Sequence, residues 1–148
     1  MNILKKIQEY FLQYDKLDEK GRIYANHTPL KAVQYSIIEL PSSNGGVVRS
    51  YIGGDALMQF QFSFDTKVYH STGNDMQNFD NSHFYTQLQD WVFENNRKGV
   101  LPDIENCQEI EILQTGYLKG LDPNGQFAVH SMSGRVTYYK EREKSWLI

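Results

Sequence analysis

Hydrophobic residues occupy every second position of the stretch MQFQFSF, where Met58, Phe60, Phe62 and Phe64 alternate with Gln59, Gln61 and Ser63. A period of two sends one set to each face of a strand. The pattern predicts a long strand over 56–70, its polar face continuing through Asp65 and Lys67. Alternation returns at 107–118, with Ile110 and Ile112 on one face and Glu109 and Glu111 on the other. A last strand is expected over 127–139, in which Gly134 marks a bulge or a close backbone approach. Upstream, VQYSIIEL (33–40) is rich in β-branched and aromatic residues and stops at Pro41. VVRSYI (47–52) is a short strand bracketed by Gly45-Gly46 and Gly53-Gly54.

A helical period appears twice. Residues 2–14 place Ile3, Leu4, Ile7, Phe11 and Tyr14 on one stripe, with Lys5, Lys6, Gln8 and Glu9 turned outward and Asn2 as cap. Residues 15–22 are charged and end in a loop, and the polar run 71–82 also reads as loop. A second helix is expected from a cap at Asn81 or Ser82 to about Lys98, with Phe84, Leu88, Trp91, Val92 and Asn95 inward. Gly99 suits its C-terminal cap, and Pro102 bars continuation. Asp-Pro and Asn-Gly signals place a turn at 119–126.

The order is α, β, β, β, α, β, β, with one hairpin on each side of the second helix. One-faced strands need cover on one side only. The expected fold is therefore α+β: a mainly antiparallel sheet of four to five strands with two helices packed on one face. Burial of Phe60, Phe62 and Phe64 would stabilise it by ~1.5–3 kcal/mol each. The 148 residues fit a single domain, 1–148. Residues 42–54 are read as a projecting arm hinged on glycines, and 141–148 as a charged, then apolar tail.

Composition narrows the function classes. A hydrophobic fraction of 40% and an aromatic fraction of 14% belong to a folded chain. A net charge of −3 argues against binding nucleic acid or an anionic membrane through bulk charge. No apolar run approaches the ~18 residues of a membrane span, and the N-terminal apolar residues are interrupted by Gln8-Glu9-Tyr10. The single Cys107 excludes an internal disulfide and fits a reducing cytoplasm.

Candidate chemistry is sparse. His27, His70, His83 and His130 show no metal-ligand spacing, and Cys107 has no nucleophile motif around it. Glu109 and Glu111 share a strand face, where a separation of ~7 Å is too loose for a shared proton. The glycine pairs match neither a P-loop nor a dinucleotide fingerprint. No catalytic residue, cofactor site or metal site is expected.

Read in order, ILKKIQEYF, VQYSIIELP, RSYIGGD, LMQFQFSF, FYTQLQDWVFENNRKGVLPDI, IEILQTGYL and FAVHSMSGRVTYYKE resemble the minor capsid proteins of Gram-positive siphophages. That family is similar to the phage tail terminator proteins. The resemblance spans about residues 2–141 and rests on the order and spacing of its pieces. It implies a virion protein of the head–tail neck, made in the host cytoplasm. Such a protein forms a homo-oligomeric ring, usually a hexamer, that caps the tail tube protein, ends tube polymerisation and meets the head-side connector protein. DNA passes through the ring without specific binding, and the family carries no catalytic residues to transfer.

The residues themselves leave alternatives open. The polar face of the 56–70 strand suits a wet channel wall, a polar contact between subunits, or plain solvent. Arg49, Tyr51, Gln59 and Gln61 are the expected interface residues. A head-side stopper or adaptor is the nearest rival function. A monomeric module holding a ligand or peptide between helix 79–98 and the sheet is another, and an enzyme is a third.

Overall fold

The computed structural model describes residues 2–17, 23–26, 34–69, 75–121 and 127–142, with backbone alone at 69 and 75–81. The expected turn residues 122–126, the tail from 143, and His27 and His70 lie outside the described residues. Among the described residues the fold is α+β, with two α-helices and a six-stranded mixed sheet that is mostly antiparallel. No described helix is long and apolar enough to cross a membrane.

Helix α1 (Ile3–Phe11) begins where Asn2 Oδ1 accepts from the Lys5 amide at 3.1 Å. Ile7, Tyr10 and Phe11 are its buried residues. The helix stops at Phe11, short of the expected Tyr14, although Tyr14 is buried beyond it.

Strand β1 (Ile23–Ala25) runs parallel to β2 (Gln34–Leu40) and adds the sixth strand to the four or five expected. Three residues are too few to display a period. The Gln8 side chain donates to the Ile23 carbonyl and ties β1 to α1.

Strands β2 and β3 (Val47–Ser50) lie end to end along one edge of β4 (Ala56–Tyr69). Leu40 pairs with Gln61 and Val47 with Met58, so residues 41–46 are looped out opposite Gln59 and Phe60. At the exit, Gly46 has φ +85°, and a Cβ there would stand 2.8 Å from the Gln59 carbonyl oxygen. Residues 42–54, read as an arm, thus comprise this loop, β3 and the tip of the β3–β4 hairpin.

Helix α2 (Asp75–Lys98) starts before the expected cap, and Asn81 and Ser82 lie inside it. Asp, Asn and Ser dominate its first turns and favour loops and caps over helix interiors, which hides the helical period. Gly99 adopts φ +75° just past its end. Strands β5 (Cys107–Leu121) and β6 (Phe127–Lys140) then complete the order β1-β2-β4-β6-β5, with β3 also on β4.

The core lies between one face of this sheet and both helices. Phe62, Phe64, Ile37, Met132, Val136 and Ile110 meet Ile7 and Phe11 of α1 and Leu88 and Val92 of α2, all fully or almost fully buried. Phe11 is the hub: its ring lies 5.7 Å from Phe62, 5.1 Å from Phe64 and 6.1 Å from Trp91. Gly134 sits opposite Phe62, and a Cβ there would be 2.7 Å from both the Phe62 ring and the Glu111 carbonyl oxygen. Close approach and bulge coincide at this point, because the β5 register shifts between Ile112 and Gln114.

Candidate assembly surface

The sheet face without helices is polar, as the alternation in β4 dictates, yet several of its residues are buried. Ser36, Ser63, Asp65 and Ser131 are at most 4% exposed. The register of β5 against β6 shifts repeatedly along this hairpin. A trough of about 560 Å³ on this face is lined by Gln61, Ser63, Gln114, Tyr117, Ser131 and Ser133. At its end, Asp65 accepts from Ser131 Oγ at 2.6 Å and from Lys119 Nζ at 3.1 Å. The charged residues of this face are mixed in sign: Asp65, Glu109 and Glu111 beside Arg49, Lys67, Lys119 and Arg135.

At the β3 edge, the hairpin tip is clamped. The Tyr51 amide donates to the Asp55 carbonyl at 2.9 Å, and the Tyr139 hydroxyl and Arg142 amide each donate to the Asp55 carboxylate at 2.7 Å. Arg142 Nη1 also donates to the Gly53 carbonyl at 2.9 Å. Tyr51 packs on Tyr139, with ring centroids 5.9 Å apart. Ile52, at the apex of this fixed turn, is wholly exposed (107%).

At the opposite edge, β5 meets the outer side of α2. A cleft of about 350 Å³ is lined by the apolar Val92, Phe93, Ile110 and Ile112 and by the charged Arg97, Glu109 and Glu111. Phe93 is 65% exposed. Arg135 Nη2 donates to Glu111 Oε1 and Oε2 at 3.4 and 3.3 Å. Contrary to the spacing expected along an ideal strand, the two carboxyl groups are close enough to hydrogen-bond. That bond pushes Glu109 above the usual carboxylate range and Glu111 below it, with Arg135 also favouring the ionised form of Glu111. Long, flexible side chains lean together beside Arg135, whatever the backbone repeat.

The expected interface residues fall in two places. Tyr51 is in the clamped turn, and Arg49 pairs with Leu57 on the side of β4 that also carries Gln59 and Gln61. Arg49 is exposed, whereas Gln59 and Gln61 are half-buried, Gln61 in the trough wall. Sequence reasoning gave no surface role to Ile52, the last residue of VVRSYI, or to Phe93, which directly follows the inward Trp91 and Val92.

Among the described residues, no group of His, Cys, Asp and Glu is arranged to hold a metal ion. Burial pushes the half-buried Cys107 thiol up to about 11. Leu88 and Val92, both within 1% of full burial, pack between α2 and the sheet. No family model matches the chain, and no curated protein matches it.

Proposed function

We propose that the protein is a structural component of a tailed-phage virion, a tail terminator at the head–tail neck. It forms a ring on the end of the tail tube, stops tube growth and meets the head-side connector. The observation that carries this reading is the presence on one subunit of a clamped, apolar-tipped β3 edge and of a β5 edge with an apolar cleft lined also by Arg97, Glu109 and Glu111. Two unlike edges associate head to tail, and such contacts close into rings when the rotation permits. The mixed charge of the helix-free face, with no run of basic residues, also suits a passage for DNA. A wall that neutralised phosphates would bind them through counterion release and retard transit.

The experiment is negative-stain microscopy of the protein mixed with tail tubes. Binding at one end only, with arrest of tube growth, is the expected result. Uniform decoration or no binding would overturn the reading. Attachment to purified heads alone would favour the stopper or adaptor role instead.

A further inference from the structure

Three buried side-chain atoms without a protein partner share the helix-free face: Ser36 Oγ, Ser63 Oγ and Arg135 Nε. Among the described residues the other such atom is the Tyr14 hydroxyl. A buried hydroxyl left unpaired costs stability, so a methyl group would suit a merely structural position better. Ser63 is 4% exposed and lines the trough of about 560 Å³, a volume within the ~300–1,000 Å³ usual for ligand sites.

Hydrogen-bond accounting defines what this trough accepts. Ser131 gives its hydroxyl proton to Asp65, and Ser133 gives its own to Gln114 Oε1 at 3.4 Å. The remaining lone pairs of both serines are acceptors, whereas Gln114 Nε2 and the unpaired Ser63 hydroxyl are donors. A ligand must therefore donate and accept at neighbouring points, which a set of hydroxyl groups does. Lys119 is the charged residue of the lining, and Asp65 meets it at 3.1 Å, so the trough favours a neutral ligand over an ion. Leu113 and Tyr117, each 44% exposed, give it an apolar side.

The position within the sheet argues against an extended peptide. Ser63 lies on β4, and Ser131 and Ser133 lie on β6. Both strands are paired on each side at these residues, so their main chains are committed to neighbours. Main-chain pairing with an incoming strand is blocked here, and recognition falls to side chains.

We propose that the trough is a binding site for a neutral saccharide. Tyr117 stacks on the apolar face of one sugar ring, while Ser63, Ser133 and the amides of Gln61 and Gln114 bond its hydroxyl groups. This site goes beyond the ring reading, and neither requires the other.

The test is an NMR titration of the full chain with glucose, galactose and N-acetylglucosamine, with glycerol and inorganic phosphate as controls. At least one sugar should shift the side-chain amide signals of Gln61 and Gln114 saturably at millimolar concentration, and the controls should not. Ser63→Ala should weaken that binding at least tenfold yet melt at or above the wild-type temperature, because it removes an unpaired buried hydroxyl. Tyr117→Ala should also bind at least tenfold more weakly, whereas Tyr117→Phe, which keeps the ring, should bind nearly as wild type. Circular dichroism checks that each variant folds. No saturable shift with any of the three sugars, shifts confined to other residues, or an equal response to glycerol or phosphate would overturn the site. A Ser63→Ala variant that binds as wild type, or that melts well below it, would overturn it too. None of these outcomes touches end-on binding to tail tubes, which decides the ring reading separately.

Discussion

Asn96 closes the outer edge of Ile110 with both ends of its side-chain amide. Nδ2 donates to the Ile110 carbonyl at 2.5 Å, and Oδ1 accepts from its amide at 3.1 Å. Helix α2 thus supplies a side chain where a neighbouring strand would pair. An open edge strand is a template for unwanted association, and this pairing blunts it at one point.

Asn96→Ala removes both bonds, each worth about 0.5–1.5 kcal/mol, so the variant should lose about 1–3 kcal/mol. It should also self-associate through the uncovered edge. Urea unfolding and light scattering measure the two effects. A variant of wild-type stability would show that water replaces the amide at no cost.

Face assignment in β4 is tested by neighbouring residues. Phe62 is fully buried against Phe11, whereas Gln61 is half-buried in the trough. Phe62→Asp buries a charge without a partner and should cost several kcal/mol or abolish folding. Gln61→Asp stands opposite Arg135 and should change stability by less than about 1 kcal/mol. Thermal melts of the two should differ widely.

The same two residues show what the sequence made legible. Strict alternation sorted Phe62 from Gln61 because a one-residue slip would invert every side chain of the strand. Cap chemistry located the start of α1 at Asn2, whose side chain does cap it. Local pattern could not find β1, which owes its place to β2 and to the Gln8 contact. Nor could it show that β2 and β3 share an edge of β4, since both are antiparallel to β4 and the looped-out residues resemble a hairpin turn. Tyr85 was missed in the inward stripe. Its hydroxyl lies 2.5 Å from Thr66 Oγ1 and 3.0 Å from the His130 carbonyl, partners distant in sequence. The candidate surface was half visible: Arg49 and Tyr51 stood out beside their glycines, but the Phe93 cleft arises only when β5 packs beside α2.

Gly134 is fixed by space. Gly134→Ala places a methyl group 2.7 Å from the Phe62 ring and the Glu111 carbonyl oxygen, in the most buried part of the sheet. Overpacking of this kind should cost about 1–3 kcal/mol. Combining it with Phe62→Leu, which withdraws the ring, should recover part of that loss, and denaturant titration of the double-mutant cycle would reveal the coupling.

Alkaline pH should unfold the chain through its buried phenols. Burial pushes Tyr10 up to about 12 from its ordinary value of 10, partly offset by the hydrogen bond from Asn95. A phenol raised in the folded state contributes stability that is whole below its unfolded pKa and is lost as pH rises through the folded value. Stability should therefore be flat near neutrality and fall from about pH 10 upward. Tyr10→Phe should flatten that fall. An identical alkaline slope in the variant would assign the effect to the other raised phenols, Tyr85 first among them.

Asp55 determines whether the hairpin tip is a fixed knob or a swinging arm. Its carboxylate receives the Tyr139 hydroxyl and the Arg142 amide, while its carbonyl receives the Tyr51 amide. Gly53 and Gly54, at φ +105° and +99°, shape the turn but leave it free to move unless something holds it. In wild type the Tyr51 amide should exchange hydrogen slowly even in the isolated subunit. Asp55→Ala should speed that exchange by at least tenfold while the Phe62 amide in the core strand keeps its protection. Fast Tyr51 exchange in the wild-type monomer, slowed only on assembly, would show instead that the tip is an arm ordered by its neighbour.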